Sequence, residues 1–157
     1  MQLFDREAAI DYAKEWALSE NPRFFTGKQS SGAGFVSECV YSGAGVMNET
    51  KVKGWYYKNK NSKSKSWNVH SELFNFLINN KGIGPYGKEI TENEAIEGDI
   101  VAFEDENGNI FQSAVITKTE SGQIFVCAHH FNSYMRPIST YKYSFVRFFH
   151  IIGVRND

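Results

Sequence analysis

Residues 98–128 read GDIVAFEDENGNIFQSAVITKTESGQIFVCA, a pattern typical of a β-meander. Apolar runs over 100–103, 110–119 and 124–128 are interrupted by Asn107-Gly108 and by Ser121-Gly122. Dipeptides of this kind form the tight turns of hairpins, so the stretch predicts three consecutive antiparallel strands. A fourth, strongly apolar strand is predicted over 145–154.

The residues before this stretch predict helices. Between residues 9 and 17, apolar side chains recur every three or four positions, and Asn21-Pro22 ends this first helix. A second helix is predicted over 33–41, with Ser30 or Ser31 as its cap, and a third over 69–79. Helices followed by an antiparallel meander indicate an α+β fold.

The chain shows no internal repeat and no sign of a second domain, so we expect one domain over residues 1–157. The lysine-rich residues 58–66 are of low complexity and predict a mobile loop. Aromatic residues make up 15% of the chain, too many for a disordered protein. Because there are only two cysteines and four histidines, we expect neither a disulfide-dense scaffold nor a metal, and no other cofactor.

The formal net charge of −1 conceals two charged blocks. Residues 51–66 carry six lysines and no acid, and residues 89–106 carry eight acids and no base. Each block is either a solvated surface or part of a polarised surface that meets a charged partner. No arginine cluster accompanies the lysines and the pI is about 6.4, so nucleic acid is not expected as a partner.

No apolar run reaches the roughly 18 residues that span a bilayer, so we expect no membrane partner. The first residues, Met1 to Glu7, contain no basic region followed by an apolar run, as a secretory signal would. We therefore expect a cytoplasmic protein. The alternative is a piece cut from a longer exported chain.

Cysteine and histidine are the residues that could carry chemistry. Cys127 and His129 are two residues apart in a predicted strand and so point to one face, which would allow a nucleophile and a base. Core packing is the other interpretation of Cys127. His130 points the opposite way, so the adjacent histidines are poor joint metal ligands. His70 and His150 are interpreted as structural or solvated.

Several segments together resemble the bacterial putative amidase domain family, a branch of the papain-like cell-wall hydrolases. The segments are 6–13, 16–18, 21–22, 34–40, 47–48, 54–57, 66–77, 98–103, 113–117, 128–129 and 136–137. Each is short, but their order and spacing cover nearly the whole chain. The resemblance implies a papain-like fold, in which N-terminal helices pack on a C-terminal antiparallel sheet or half-barrel.

The resemblance also implies a catalytic triad. In the family, a cysteine at the N-terminus of the central helix is the nucleophile, a histidine from the sheet stabilises its thiolate, and a polar residue on the next strand orients that histidine. The cysteine position is Gly32 here, the histidine position is Gln112, and the third position is His129. Cys39 matches a second, structural cysteine of the family.

These replacements predict an inactive relative, or pseudoenzyme, because glycine cannot attack a carbonyl and glutamine cannot exchange a proton near neutral pH. We expect it to bind a protein, as an immunity, antitoxin-like or regulatory protein does, or a cell-wall peptide. The candidate groove residues are Trp55, Tyr56, Trp67, His129, Asn132 and Tyr134. The alternatives are an active cysteine amidase that uses Cys127 with His129 or His130, and a module that binds peptidoglycan peptides.

Overall fold

The computed structural model describes residues 2–24 and 32–157. Within them, the helices of four or more residues are α1 (Arg6–Trp16), α2 (Gly32–Ala44), α3 (Lys65–Asn68) and α4 (His70–Asn79). The predicted third helix is therefore a short helix followed by a longer one. The predicted caps of α2 lie outside the described residues. No helix in the described ranges is long and apolar enough to cross a membrane.

The two longest helices are held together by small and apolar side chains. Asp5 caps α1, since its carboxylate accepts a hydrogen bond from the Ala8 N–H at 3.0 Å. Ala9 and Ala13 are the buried positions of α1, and their small size lets it pack closely against α2. Nearly all residues of α2 are buried, because α2 packs against α1, α3 and β5.

Residues 57–63 form a short hairpin of β1 (Tyr57–Asn59) and β2 (Ser62–Lys63), and α3 follows almost directly. The sequence predicts a mobile loop over 58–66, so the structure is more regular here than expected. Serine side chains hold the segment: Ser64 Oγ accepts from the Tyr56 N–H at 3.0 Å, and Ser66 Oγ donates to the Gly54 carbonyl at 2.6 Å. The low-complexity pattern gives no sign of these bonds.

The remaining strands form one six-stranded antiparallel sheet, which confirms the predicted α+β fold. Its spatial order is β3-β8-β4-β5-β6-β7. The strands are β3 (Gly84–Ile90), β4 (Ile100–Glu104), β5 (Ile110–Glu120), β6 (Gln123–Ala128), β7 (Ser133–Pro137) and β8 (Phe145–Arg155). Four of them were predicted within one residue, whereas β3 and β7 were not predicted.

The sheet has a core on each face. Successive side chains of a strand point to opposite faces, and β4 shows the consequence. Ile100 and Ala102 pack toward the helices, in a core that includes Phe35. Val101 and Phe103 pack on the other face, in a smaller core made of strands and loops.

Candidate functional site

The space beside Gly32, the first residue of α2, is already filled. A Cβ atom built on Gly32 would lie 2.9 Å from Nε2 of Gln112 and 3.1 Å from Cε1 of His70. It would also lie 3.6 Å from the carbonyl oxygen of His129. We call Gly32, His70, Gln112 and His129 the Gly32 site. The structure thus brings together the three positions taken from the resemblance and adds His70.

Gln112 is only 2% exposed, and its amide bridges β5 and the end of β6. Its Nε2 donates to the carbonyl oxygens of Ser113 at 2.7 Å and of His129 at 2.8 Å. These bonds fix the orientation of the amide, because a carbonyl can only accept. Oε1 is buried and finds no hydrogen-bond partner among residues 2–24 and 32–157. Gln112 therefore provides a fixed donor rather than a group that titrates.

His70 is the residue of this site that sequence reasoning missed. It begins α4, and its Nδ1 lies 2.9 Å from Oγ of Ser113 on β5. Burial, with a smaller effect of His130, lowers the pKa of His70 to about 4, so its imidazole is uncharged at neutral pH. Nothing in its local sequence signals this position, because the contact depends on how α4 packs against the sheet.

His129 faces Gln112 only with its backbone carbonyl. Its ring is fully buried and stacks on Phe35, with ring centroids 4.0 Å apart. Nε2 donates to the carbonyl oxygen of Trp16 at 2.6 Å, whereas Nδ1 lies 3.8 Å from Oε1 of Glu20, too far for a hydrogen bond. The imidazole therefore connects the C-terminus of α1 to the sheet, and neither of its nitrogens bonds the Gln112 amide within the described residues.

Both cysteines are buried among apolar side chains. Burial raises the pKa of the Cys39 thiol and of the Cys127 thiol. A thiol in such surroundings stays protonated and is a poor nucleophile. The two ring nitrogens of His129 make no hydrogen bond to Cys127 in the described part of the chain. The structure thus lacks the nucleophile–base pair that the spacing of these residues allows.

The candidate groove residues do not share one surface. Trp55 and Trp67 are core residues, because each is at most 1% exposed and their rings pack 4.8 Å apart beneath α2. Burial of Trp55 is tolerated because its indole N–H donates to Ser37 Oγ at 3.1 Å. The prediction that these tryptophans line a groove is therefore wrong. Tyr56 is half-buried, and Asn132 and Tyr134 are exposed.

A known protein family matches most of the chain. The family described as "Putative amidase domain" matches residues 3–152. The chain is also 26% identical over 137 residues to "Uncharacterized protein YhbB" of Bacillus subtilis (strain 168). That similarity covers 85% of this chain and 43% of YhbB, so the chain spans less than half the length of that protein. No solved structure matches the chain.

Proposed function

Because the chain belongs to the putative amidase domain family, we propose that it is a catalytically degenerate amidase-like domain of papain-like fold that acts by binding a protein or peptide. The Gly32 site carries this proposal. The helix start that would hold the nucleophile has no side chain, and the fixed amide of Gln112 occupies the space that a cysteine side chain would need.

The chemistry of the site supports the loss of catalysis. Cysteine amidases need a nucleophile and a group that takes up and returns its proton. Gly32 offers no nucleophile, and an amide such as that of Gln112 does not titrate near neutral pH. His70 is a weak base at pH 7, because its pKa lies near 4. The neighbouring hydroxyl of Ser113 is fully buried, where a substrate carbonyl does not reach it.

A domain that has lost its catalytic groups can still act by binding. We propose an immunity, antitoxin-like or regulatory role with a protein partner, in the cytoplasm. Exposed aromatic side chains close to His129 support a binding role, since Phe131 and Tyr134 are 69% and 52% exposed. A cell-wall peptide is the second candidate ligand, and the match to an amidase family favours it.

The competing proposal is an active amidase that uses Cys127 with His129. The buried thiol and the engaged imidazole nitrogen weigh against it. Native-state alkylation separates the two proposals, because iodoacetamide reacts with thiolates and spares buried thiols. The wild-type protein would be alkylated at pH 7 and followed by intact mass. The positive control is the double variant Gly32→Cys with Gln112→Ala, which places a thiol at the start of α2 and removes the side-chain amide closest to it.

We expect wild-type protein to remain unlabelled over the time in which the double variant takes up one label. Fast labelling of wild-type protein that disappears in Cys127→Ser would overturn the proposed loss of catalysis. The ligand class is tested separately by sedimentation with purified cell wall. Retention in the pellet would indicate a peptidoglycan ligand, and its absence would favour a protein partner.

A further inference from the structure

A surface cleft opens on the face of the sheet that the helices leave uncovered. The β4–β5 hairpin forms one wall, and the segment between β7 and β8 forms the other. The cleft has a volume of about 650 Å³, which falls in the size range of ligand-binding sites. Its principal side chains are Asp105, Glu106, Phe111, Tyr141, Lys142 and Tyr143, and we call it the Tyr143 cleft.

Aromatic rings form the floor of the Tyr143 cleft. They surround the buried Phe103, whose ring centroid lies 4.4 Å from that of Tyr141, 5.4 Å from that of Tyr143 and 6.4 Å from that of Phe111. Tyr143 is exposed and Phe111 is half-buried, so both present ring surface to the cleft. The floor therefore suits an apolar group, and the ring faces can also attract a cation.

The lining of the cleft also contains carboxylates that form no ion pair in the described part of the chain. Other carboxylates of the acidic residues 89–106 form ion pairs: Asp99 pairs with Arg6, and Glu104 with Arg147. Among the described residues, no ion pair engages Asp105, Glu106 or Lys142. One carboxylate oxygen of Asp105 accepts the N–H groups of Asn107 and Asn109 in its own turn. The lining of the cleft thus contains two carboxylates and one ammonium beside an aromatic floor.

We propose that the Tyr143 cleft binds a peptide segment in which a cationic side chain neighbours an apolar one. The carboxylates of Asp105 and Glu106 and the ring of Tyr143 attract the cation, while Phe111 accepts the apolar group. A small free amine in an open cleft keeps most of its hydration and gains little by binding. A peptide presents a cationic and an apolar side chain together, so that both contacts form in one binding event. This inference goes beyond the proposed function, since it concerns the opposite face of the sheet and does not depend on the Gly32 site.

The probe is a fluorescein-labelled, capped Gly-Arg-Leu-Gly peptide, titrated with the full chain at low salt and followed by anisotropy. We expect saturable binding that weakens about threefold in Glu106→Gln and about fivefold in Tyr143→Ala, as the loss of one exposed charge contact and one cation–π contact implies. Lys142→Glu removes the opposing charge and should tighten binding. The matched control is Glu92→Gln, an exposed carboxylate outside the cleft, which should leave the affinity unchanged.

Several results would overturn this inference. One is a titration with the Gly-Arg-Leu-Gly peptide that does not saturate. Another is a Gly-Glu-Leu-Gly peptide that binds with the same affinity, and a third is a Lys142→Glu variant that binds the arginine peptide more weakly than wild type. Equal competition by free arginine amide would indicate a site for small cations and would reject the peptide. Glu106, Lys142 and Tyr143 are all exposed, so circular dichroism of the variants should match the wild-type spectrum. None of these results bears on thiol reactivity, so a failure here is distinct from a failure of the proposed loss of catalysis.

Discussion

At Gly32, atoms of neighbouring side chains fill the space that a side chain of residue 32 would occupy. The space is taken by Nε2 of Gln112 and by Cε1 of His70, at 2.9 and 3.1 Å from where a Cβ would lie. Gln112 cannot swing away without losing two hydrogen bonds to carbonyl oxygens. We therefore expect Gly32→Ala to destabilise the wild-type protein, and to destabilise it less once Gln112→Ala has removed the closer of the two contacts, with a coupling energy of about 1 kcal/mol.

Urea unfolding of the two single variants and the double variant measures this coupling. The matched control is Gly82→Ala, because a Cβ at Gly82 meets its nearest neighbour at an ordinary 3.4 Å. The control should be equally tolerated with and without Gln112→Ala. Strictly additive effects of Gly32→Ala and Gln112→Ala would show that the two side chains do not compete for one space.

Glu38 is a second residue whose surroundings have a measurable effect, here on the pH dependence of stability. It is a buried carboxyl on α2 that accepts a hydrogen bond from the Tyr12 hydroxyl on α1 at 2.6 Å. Burial raises its pKa from 4.5 to about 7, the Tyr12 bond opposes this shift, and Glu20 adds to it. The folded protein thus holds this proton more tightly than the unfolded chain, so stability falls as the pH rises from about 4.5 through about 7.

The variant Glu38→Gln keeps an acceptor for Tyr12 and carries no charge at any pH. Relative to wild type, we expect it to be of similar stability at pH 5 and more stable at pH 8 by roughly 2–3 kcal/mol. Denaturant unfolding at both values measures the difference. A stability difference that is the same at pH 5 and pH 8 would contradict the raised pKa.

The positions of some residues of the site could be predicted from the sequence, and those of others could not. The proximity of Gly32 and Gln112 follows from the resemblance, because the family fixes both positions in the chain. The place of His70 does not, since it depends on the tertiary contact of Nδ1 with Ser113. The burial of Trp55 was also missed, because a sequence does not show that Ser37 is available to accept its N–H bond.

At the scale of elements, Arg6 fastens α1 to the sheet. Its guanidinium donates to the buried Asp99 at 2.8 Å and to the Ile151 carbonyl at 2.6 Å. Asp99 also accepts the N–H of Ile96 and lies 3.0 Å from Nδ1 of His150. Asp99→Asn leaves the guanidinium without its anion, so we expect a loss of about 3 kcal/mol in the free energy of unfolding.

The matched control is Glu89→Gln, which removes the carboxylate of an exposed ion pair with Arg147. It should cost less than about 1 kcal/mol, because solvent screens exposed pairs. Thermal and urea unfolding of the two variants compare the effects directly. Equal losses would mean that Asp99 is no more important to the fold than an exposed carboxylate.

Three of the four predicted strands, β4 to β6, pair locally, whereas β8 was predicted from its apolar run although it pairs with the distant β3 and β4. The turns at Gly108 and Ser121-Gly122 have positive φ angles, as tight hairpin turns require, and they fix β4, β5 and β6. The strand β3 was missed because it begins Gly-Pro-Tyr-Gly and pairs only with the distant β8. There Gly87 is needed, since a Cβ would lie 2.4 Å from the His150 carbonyl oxygen.

At the scale of the whole molecule, the Gly32 site and the Tyr143 cleft are two separate candidate sites. The Gly32 site lies at the start of α2, where the proposed loss of catalysis has its physical basis in Gly32 and Gln112. The uncovered face of the sheet carries the Tyr143 cleft, whose lining includes neither Gly32 nor Gln112. Changes at the exposed cleft residues Glu106, Lys142 and Tyr143 should therefore leave the Gly32 site intact.

Hydrolysis by the purified protein is the most direct test of the proposed loss of catalysis. Wild-type protein and Cys127→Ser would each be incubated at pH 7 with cell-wall peptides, and the products identified by mass spectrometry. We expect neither protein to cleave an amide bond faster than buffer alone. Turnover by the wild type that is lost in Cys127→Ser would contradict the proposal.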